Sequence, residues 1–319
     1  MIFSATGVWR VRHGDAGAVA PAPVLNAALN WEVDGPDWPN REASRFVAAG
    51  GLRWHVQVSG RGPVALLLHG TGASTHSWRD VNPLLRRRFT VVAPDLPGHG
   101  FTERPAATDL SLPRIAASVR QLLDVLDIKP VLGVGHSAGA AILARMCLDG
   151  ALALRALVSL NGAFLPFRGI PGAVFSPFAK LLAATPWVPQ LLAWRAADRA
   201  AVQRLIRSTG STLDAAGVDG YARLVRDPSH IAGVLGMMAA WDLEALDRDL
   251  ERLDVPVALL VGGRDRTVSP LEAQVIVQRL SRAEVRRLPA YGHLMHEEAP
   301  GKVADIVIDF ARRQGVLRH

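Results

Sequence analysis

Only one cysteine, Cys147, occurs in the chain, so no disulfide can form within it. That suits a reducing compartment. Cys147 falls in an apolar stretch and is expected to be a buried thiol, not a nucleophile. No run of about 18 uninterrupted apolar residues exists, which argues against a transmembrane helix. The nearest approach, residues 171–194, is broken by Pro177, Lys180, Pro186 and Pro189. A secretory signal is not expected either. Arg10 and Arg12 could open one, but residues 16–29 carry Pro21 and Pro23 and no compact apolar core. Internal repeats, low-complexity tracts and nucleic-acid motifs are missing as well.

Against these absences stand 319 residues, 49% hydrophobic and 20% charged, enough for one large domain or a domain with an insertion. The formal charge is +7, carried mostly by dispersed arginines. Dispersal points away from nucleic acid and towards an anionic ligand, an acidic partner or an anionic membrane surface. The expected location is the cytoplasm, with weak peripheral contact at the inner membrane face.

Residues 1–36 read as a loosely ordered extension of mixed polarity. Residues 44–47 and 52–58 then alternate apolar and polar, as an antiparallel hairpin does. Residues 64–69 and 90–95 are continuous apolar runs, the pattern of buried parallel strands. A short helix is expected over 78–87, a longer one over 112–126, and another strand over 154–161. Strands alternating with helices imply an α/β parallel sheet, doubly wound, with reactive groups at the carboxyl ends of its strands. From 163 to 242 the alternation stops and helices broken by Pro and Gly take over. This segment reads as a helical cap inserted into a core made of 37–162 and 243–319.

Gly135-His136-Ser137-Ala138-Gly139 follows the apolar run 131–134. Gly-x-Ser-x-Gly between a strand and a helix is a nucleophile elbow, in which a tight turn presents a strained serine. Taken alone, the pentapeptide also suits an ordinary small-residue turn. Asp265 ends a buried strand, and His293 follows the strand-like stretch 284–288. The order Ser…Asp…His, with each residue at a strand end, makes Ser137 nucleophile, His293 base and Asp265 its orienting acid. Ala138 N–H and Thr71 N–H, the latter in His69-Gly-Thr-Gly72, are the expected oxyanion donors.

Other polar residues have plainer readings. Asp95 precedes the serine and is expected to tie down a turn. Asn161 stands where an alternative acid would sit but does not ionise. His69 reads as a loop-ordering residue, and the His136 side chain is expected to pack away from substrate. His296, Glu297 and Glu298 lack metal-ligand spacing, and no metal or cofactor is expected. In the cap, Phe164, Phe167, Phe175, Phe178 and Trp187 read as core, whereas Trp194, Met237, Met238 and Trp241 are candidates to line a pocket. Arg195 and Arg199 share a helix face, with Arg204 and Arg207 further along. They are either solvated or a clamp for ligand carboxylates.

From about Phe46 to Gln314 these motifs resemble the α/β-hydrolase superfamily. Asp37-Trp-Pro-Asn-Arg-Glu-Ala-Ser-Arg-Phe46, together with residues 51–57, 67–80 and 135–141, more specifically resembles the magnesium-chelatase accessory proteins of bacteriochlorophyll biosynthesis, the BchO type. The first 30 or so residues lie outside that resemblance. It implies a role in magnesium insertion into protoporphyrin in photosynthetic bacteria, a tetrapyrrole as small-molecule ligand and chelatase subunits as partners. The combined expectation is an esterase-like serine hydrolase supporting that step. A non-catalytic tetrapyrrole-binding or chelatase-interacting module and a general esterase or carbon–carbon bond hydrolase remain as alternatives.

Overall fold

A computed structural model describes residues 28–105, 110–166, 185, 188–195 and 198–317, with the backbone alone at 194 and 195. The alternating residues form the hairpin β1 (Ser44–Ala49) and β2 (Leu52–Ser59). Gly50 and Gly51 join them with φ of 58° and 77°, the left-handed pair that a two-residue hairpin turn requires. The continuous apolar runs become β3 (Val64–Leu68), β4 (Thr90–Pro94), β5 (Leu132–His136), β6 (Ala156–Leu160) and β7 (Val257–Gly262), with β8 (Ala283–Leu288) at the edge. β5, β6 and β7 are buried along their whole length, which explains why their sequences do not alternate.

The strand order is β1-β2-β4-β3-β5-β6-β7-β8. β2 runs antiparallel to β1 and β4, and the remaining neighbours are parallel. The chain builds outward from β3 to β4, then crosses to the other side of β3 to lay down β5. Such a reversal opens a crevice at the carboxyl ends of β3 and β5, and the loops bearing Thr71 and Ser137 leave the sheet there.

Helices cover both faces. A short turn α1 (Trp31–Asp34) precedes the sheet, and α2 (Val81–Leu85), α3 (Leu112–Val125) and α4 (Ala138–Leu148) follow. Between β6 and β7 come α5 (Val188–Arg195), α6 (Arg199–Ser208), α7 (Ala215–Val225) and α8 (Pro228–Ala240). Then follow α9 (Glu244–Asp249), α10 (Glu272–Arg279), α11 (Met295–Glu298) and α12 (Pro300–Arg313). One core layer packs α3, α4 and α10 on the sheet, and the other packs α2 and α12 on the opposite face.

Aspartates start three of the inserted helices. Asp198, Asp214 and Asp227 accept hydrogen bonds from Ala200 N, Gly217 N and Ser229 N, and Pro228 opens α8 with no N–H to satisfy. α6 buries Val202 and Ile206 against Val218 and Ala222 of α7, while α5 and α8 share Val188, Ala193, Ile231 and Leu235. α8 also rests on the strand-end loops. A Cβ at Gly233 would overlap the Gly98 carbonyl, so helix and loop meet backbone to backbone. No helix among the described residues is long and apolar enough to cross a membrane.

Three expectations change. Residues 28–36 belong to the packed body, not to a loose extension. Trp31 sets its ring edge-on to Phe46 at 5.3 Å and Phe101 at 5.0 Å, and Arg223 of α7 binds Asp37 at 2.8 Å. The helix expected over 78–87 divides into a 3₁₀ turn (Thr75–Trp78) and α2. Phe164 is fully buried in the main core layer beneath the sheet's helices. Residues 1–27, with Phe167, Phe175, Phe178 and Trp187, lie outside the described residues.

Gly233→Ala should destabilise the fold by about 1–3 kcal/mol through overpacking against Gly98. Urea unfolding would test this, and a wild-type midpoint would contradict the backbone contact.

Candidate active site

Ser137 lies between β5 and α4. Its backbone takes φ 50° and ψ −116°, a conformation that costs a non-glycine residue about 1–3 kcal/mol. The surrounding structure enforces it. Ser137 N donates to Leu160 O at 3.0 Å, and a Cβ at Gly139 would strike the Leu68 carbonyl oxygen. Helix and strand therefore approach so closely that only glycine fits beside the serine. Ser137 stays partly exposed amid buried neighbours.

Asp265 and His293 come together from loops after β7 and β8. Nδ1 of His293 lies 2.8 Å from Oδ2 of Asp265, and both side chains are buried. The other carboxylate oxygen, Oδ1, accepts from Thr267 N at 2.7 Å and Val268 N at 3.0 Å, which fixes the carboxylate plane. The His136 ring lies 4.7 Å from that of His293, so the residue before Ser137 touches the imidazole. His136 also donates from Nε2 to the His293 carbonyl at 3.0 Å. Its side chain braces the histidine loop.

Asn161 is the residue that sequence reading undervalued. It takes φ 47° at the end of β6. Nδ2 donates to the carbonyls of Gly292 and His293, each at 2.9 Å, and Oδ1 accepts from Gly262 N at 2.8 Å. One amide thus ties β6, β7 and the His293 loop together. Its position at a strand end was the available signal, but its partners lie more than 100 residues away.

The loop after β3 lies beside the elbow. A Cβ at Gly70 would stand 3.1 Å from Ser137 Cβ. His69 orders this loop, donating from Nδ1 to Gly70 O at 2.8 Å and accepting from Leu96 N at Nε2, 2.9 Å away. Among the described residues, neither Thr71 N–H nor Ala138 N–H has an acceptor. The Thr71 hydroxyl donates to Sδ of Met237 at 3.4 Å.

Met237 thus contacts the loop after β3. It is fully buried in the main core cluster, where Thr71 and its apolar neighbours enclose it. Met238 is half-buried, and Trp241 packs against the same core. Arg199 does not reach towards the site. Nε donates to Asp219 at 2.7 Å and Nη2 to the Ala215 carbonyl at 3.2 Å, so the guanidinium serves the α6–α7 contact. Arg204 pairs with Asp198 at 3.5 Å, and Arg207 is exposed. The side chains of Trp194 and Arg195 lie outside the described residues.

Around the site every described histidine is buried. Burial, reinforced by His69, lowers His230 to about 4, and burial with His293 and Arg79 nearby lowers His296 to about 3. Burial also drives His136 well below the ordinary imidazole range. Glu297 moves the other way. Burial raises it to about 7 although Arg79 pairs with it and Tyr221 Oη donates to it at 2.8 Å. Glu297 is thus engaged by Arg79 and Tyr221, and Glu298 by Ser211, Thr212 and Gly292. No metal-binding group of His, Cys, Asp and Glu occurs among the described residues. Burial pushes the Cys147 thiol up to about 12, which removes it as a nucleophile at neutral pH.

Elsewhere a serine, a histidine and an aspartate are hydrogen-bonded in series. Ser44 Oγ lies 3.0 Å from His55 Nε2, and His55 Nδ1 lies 2.7 Å from Asp95 Oδ2. Here the group is structural. His55 is fully buried among Trp31, Phe46 and Phe101, and Ser44 opens a strand with no helix behind it. Asp95 also accepts from Thr75 N at 2.6 Å and Phe101 N at 3.0 Å. Burial raises its carboxyl, but His55, His69 and the Phe101 N–H outweigh that and hold it well below the usual range.

Removing Asp95 as Asp95→Ala should cost about 3–5 kcal/mol, because it strands buried partners. Equilibrium unfolding in denaturant measures this, and a loss under 1 kcal/mol would contradict the structural role. The histidines generate a second expectation. Their folded values lie below the ordinary 6.5, so the unfolded chain binds more protons in between. Their contribution to stability is complete above about pH 6.5 and is lost as pH falls towards 4 and 3. Thermal melts should therefore move down steadily from pH 6.5 to pH 4, and a flat Tm across that window would refute it.

Comparison with known proteins agrees with this architecture. A family model described as the alpha/beta hydrolase fold matches residues 63–300. The Magnesium-chelatase 30 kDa subunit of Rhodobacter capsulatus is 38% identical over 276 residues, covering 86% of this chain and 96% of that protein. Pyrrolizixenacetamide deacetylase of Xenorhabdus hominickii is 29% identical over 76% of this chain and 88% of its own length. The crystal structure of an alpha/beta hydrolase fold protein from Burkholderia ambifaria superposes with a TM-score of 0.71 at 27% identity, covering 84% of this chain and 97% of that one. With its strand order, its serine elbow and a family model spanning most of its length, the chain belongs to the α/β-hydrolase fold family.

Proposed function

We propose that the protein is a serine hydrolase cleaving an ester-like bond. The observation that carries this reading is the 2.8 Å contact between His293 Nδ1 and Asp265 Oδ2, together with a serine held at φ 50° directly after His136, whose ring lies 4.7 Å from that of His293. Asp265 holds the imidazole with Nδ1 protonated, leaving Nε2 as the basic atom. His293 Nε2 takes the Ser137 hydroxyl proton as Oγ bonds to the substrate carbonyl carbon. The carbonyl electron pair moves onto oxygen, where Thr71 N–H and Ala138 N–H receive it. Each such donor contributes about 3–4 kcal/mol in a pre-organised site. The tetrahedral species collapses, the leaving group departs with the proton from His293, and water then releases the acyl group by the same steps reversed.

The physiological setting follows from the relative called Magnesium-chelatase 30 kDa subunit, aligned over nearly all of its length. We read this chain as a helper of magnesium insertion, with the helices between β6 and β7 acting as a cap that selects the substrate. A tetrapyrrole remains a candidate ligand, but a carboxylate clamp at Arg199 finds no support, because Asp219 already engages that side chain.

A fluorophosphonate probe should label Ser137, and Ser137→Ala should lower turnover of a p-nitrophenyl ester by roughly 10⁴-fold or more with the fold intact. Wild-type protein that several small probes fail to label would overturn the catalytic reading. For the biological role, a deletion strain carrying Ser137→Ala should fail to restore magnesium tetrapyrroles. Full rescue would leave only a binding role.

A further inference from the structure

Three consecutive backbone amides surround the proposed base; two are held by the segment after α6 and the third by Glu298 of α11, which is itself bonded to that segment. His293 N donates to Thr209 O at 3.4 Å, and Leu294 N donates to Ser211 Oγ at 2.8 Å. Gly292 N donates to Glu298 Oε2 at 2.8 Å, and that same oxygen accepts from the Ser211 hydroxyl at 2.9 Å. Oε1 of Glu298 closes the set by accepting from Thr212 N at 3.1 Å. Thr209, Ser211 and Thr212 belong to the segment leaving α6, inside the helical insertion and not in the hydrolase core.

The same segment holds the acid's loop. Thr209 O also accepts from Arg266 N at 3.1 Å, one residue beyond Asp265. A single carbonyl oxygen therefore binds the loops of both Asp265 and His293. The contact leaves no slack, since a Cβ on Gly292 would overlap the Gly210 carbonyl. Ser211 is almost fully buried, so its hydroxyl has no water to fall back on. Beneath, Asn161 fixes the carbonyl side of the same loop.

We propose that Ser211 and Glu298 are positioning residues. Through their mutual hydrogen bond, the 209–212 segment of the insertion sets His293 in register with Asp265, so a shift of the insertion passes directly to the base. This rests on His293 being the base. Neither residue touches a reacting atom. Their effect is on geometry, and a misplacement of about 1 Å far from the chemistry can cost on the order of a hundredfold in rate.

The experiment uses the full chain and three variants, Ser211→Ala, Ser211→Thr and Glu298→Met. Two quantities are followed: the proton resonance of His293 Nδ1–H, identified by its loss in His293→Gln, and phosphonylation of Ser137 by a small fluorophosphonate. Ser211→Ala should broaden the resonance and lower the limiting phosphonylation rate about tenfold to a hundredfold, with the probe concentration at half-maximal rate unchanged. Ser211→Thr keeps the hydroxyl and should restore both. Glu298→Met removes the acceptor of Gly292 N–H, Thr212 N–H and the Ser211 hydroxyl, and should resemble Ser211→Ala. It also serves as the second variant should the first fail to fold.

A sharp resonance and a wild-type rate in folded Ser211→Ala would overturn the proposal. So would a loss confined to probe affinity, or a Ser211→Thr variant as impaired as Ser211→Ala. Wild-type protein that shows the resonance but takes no label would remove the serine-hydrolase reading alone. The resonance in Ser211→Ala would then still decide whether Ser211 and Glu298 position His293.

Discussion

The site depends on one amide side chain at the end of β6. Asn161 donates to two successive carbonyls of the His293 loop and accepts from the last amide of β7. Three segments far apart in sequence are fixed by one planar group whose donors and acceptor all find partners. The residue type is not interchangeable with its acid. A carboxylate here would face two carbonyl oxygens with negative charge and no proton to offer them. That closes the position to an acid, while Asp265 Oδ1 holds the backbone of its own loop.

Around that anchor the interior is polar in composition but mostly uncharged. His136, His230 and His296 lose basicity because burial disfavours the imidazolium, and their neighbours are other imidazoles. Glu297 is raised by the same burial even with a guanidinium beside it. Two buried carboxylates, Asp95 and Asp265, each receive two backbone N–H groups as well as an imidazole. A low-dielectric surround of this kind strengthens any interaction with charge that develops inside it. It also makes each hydrogen-bond partner costly to lose.

The helical insertion is joined to the core by contacts of two kinds. α8 lies against the loops after β3 and β4 through Met237 and Gly233, close to the proposed oxyanion donors. The segment after α6 lies against the loops after β7 and β8 through backbone and carboxylate hydrogen bonds. The insertion thus packs on both sides of the crevice that the strand reversal opens at β3 and β5. Arg199, which the sequence leaves as either solvated or a clamp, pairs with Asp219, and Arg223 pairs with Asp37.

The amino-acid sequence determined the strand runs, the hairpin, the β7 and β8 positions of Asp265 and His293, and the elbow at Ser137. Each is a local matter of periodicity, turn geometry or the space a glycine leaves, and a stretch of about ten residues records it. Only the tertiary structure decided that Trp31 closes an aromatic cluster and that Met237 is core. The same holds for Arg199 serving Asp219, and for Asn161, Ser211 and Glu298 enclosing the histidine loop. Those assignments rest on which distant groups arrive within about 3 Å of one another. A serine, an asparagine or an arginine carries the same donors wherever it stands, so its partner is set by the path of the folded chain.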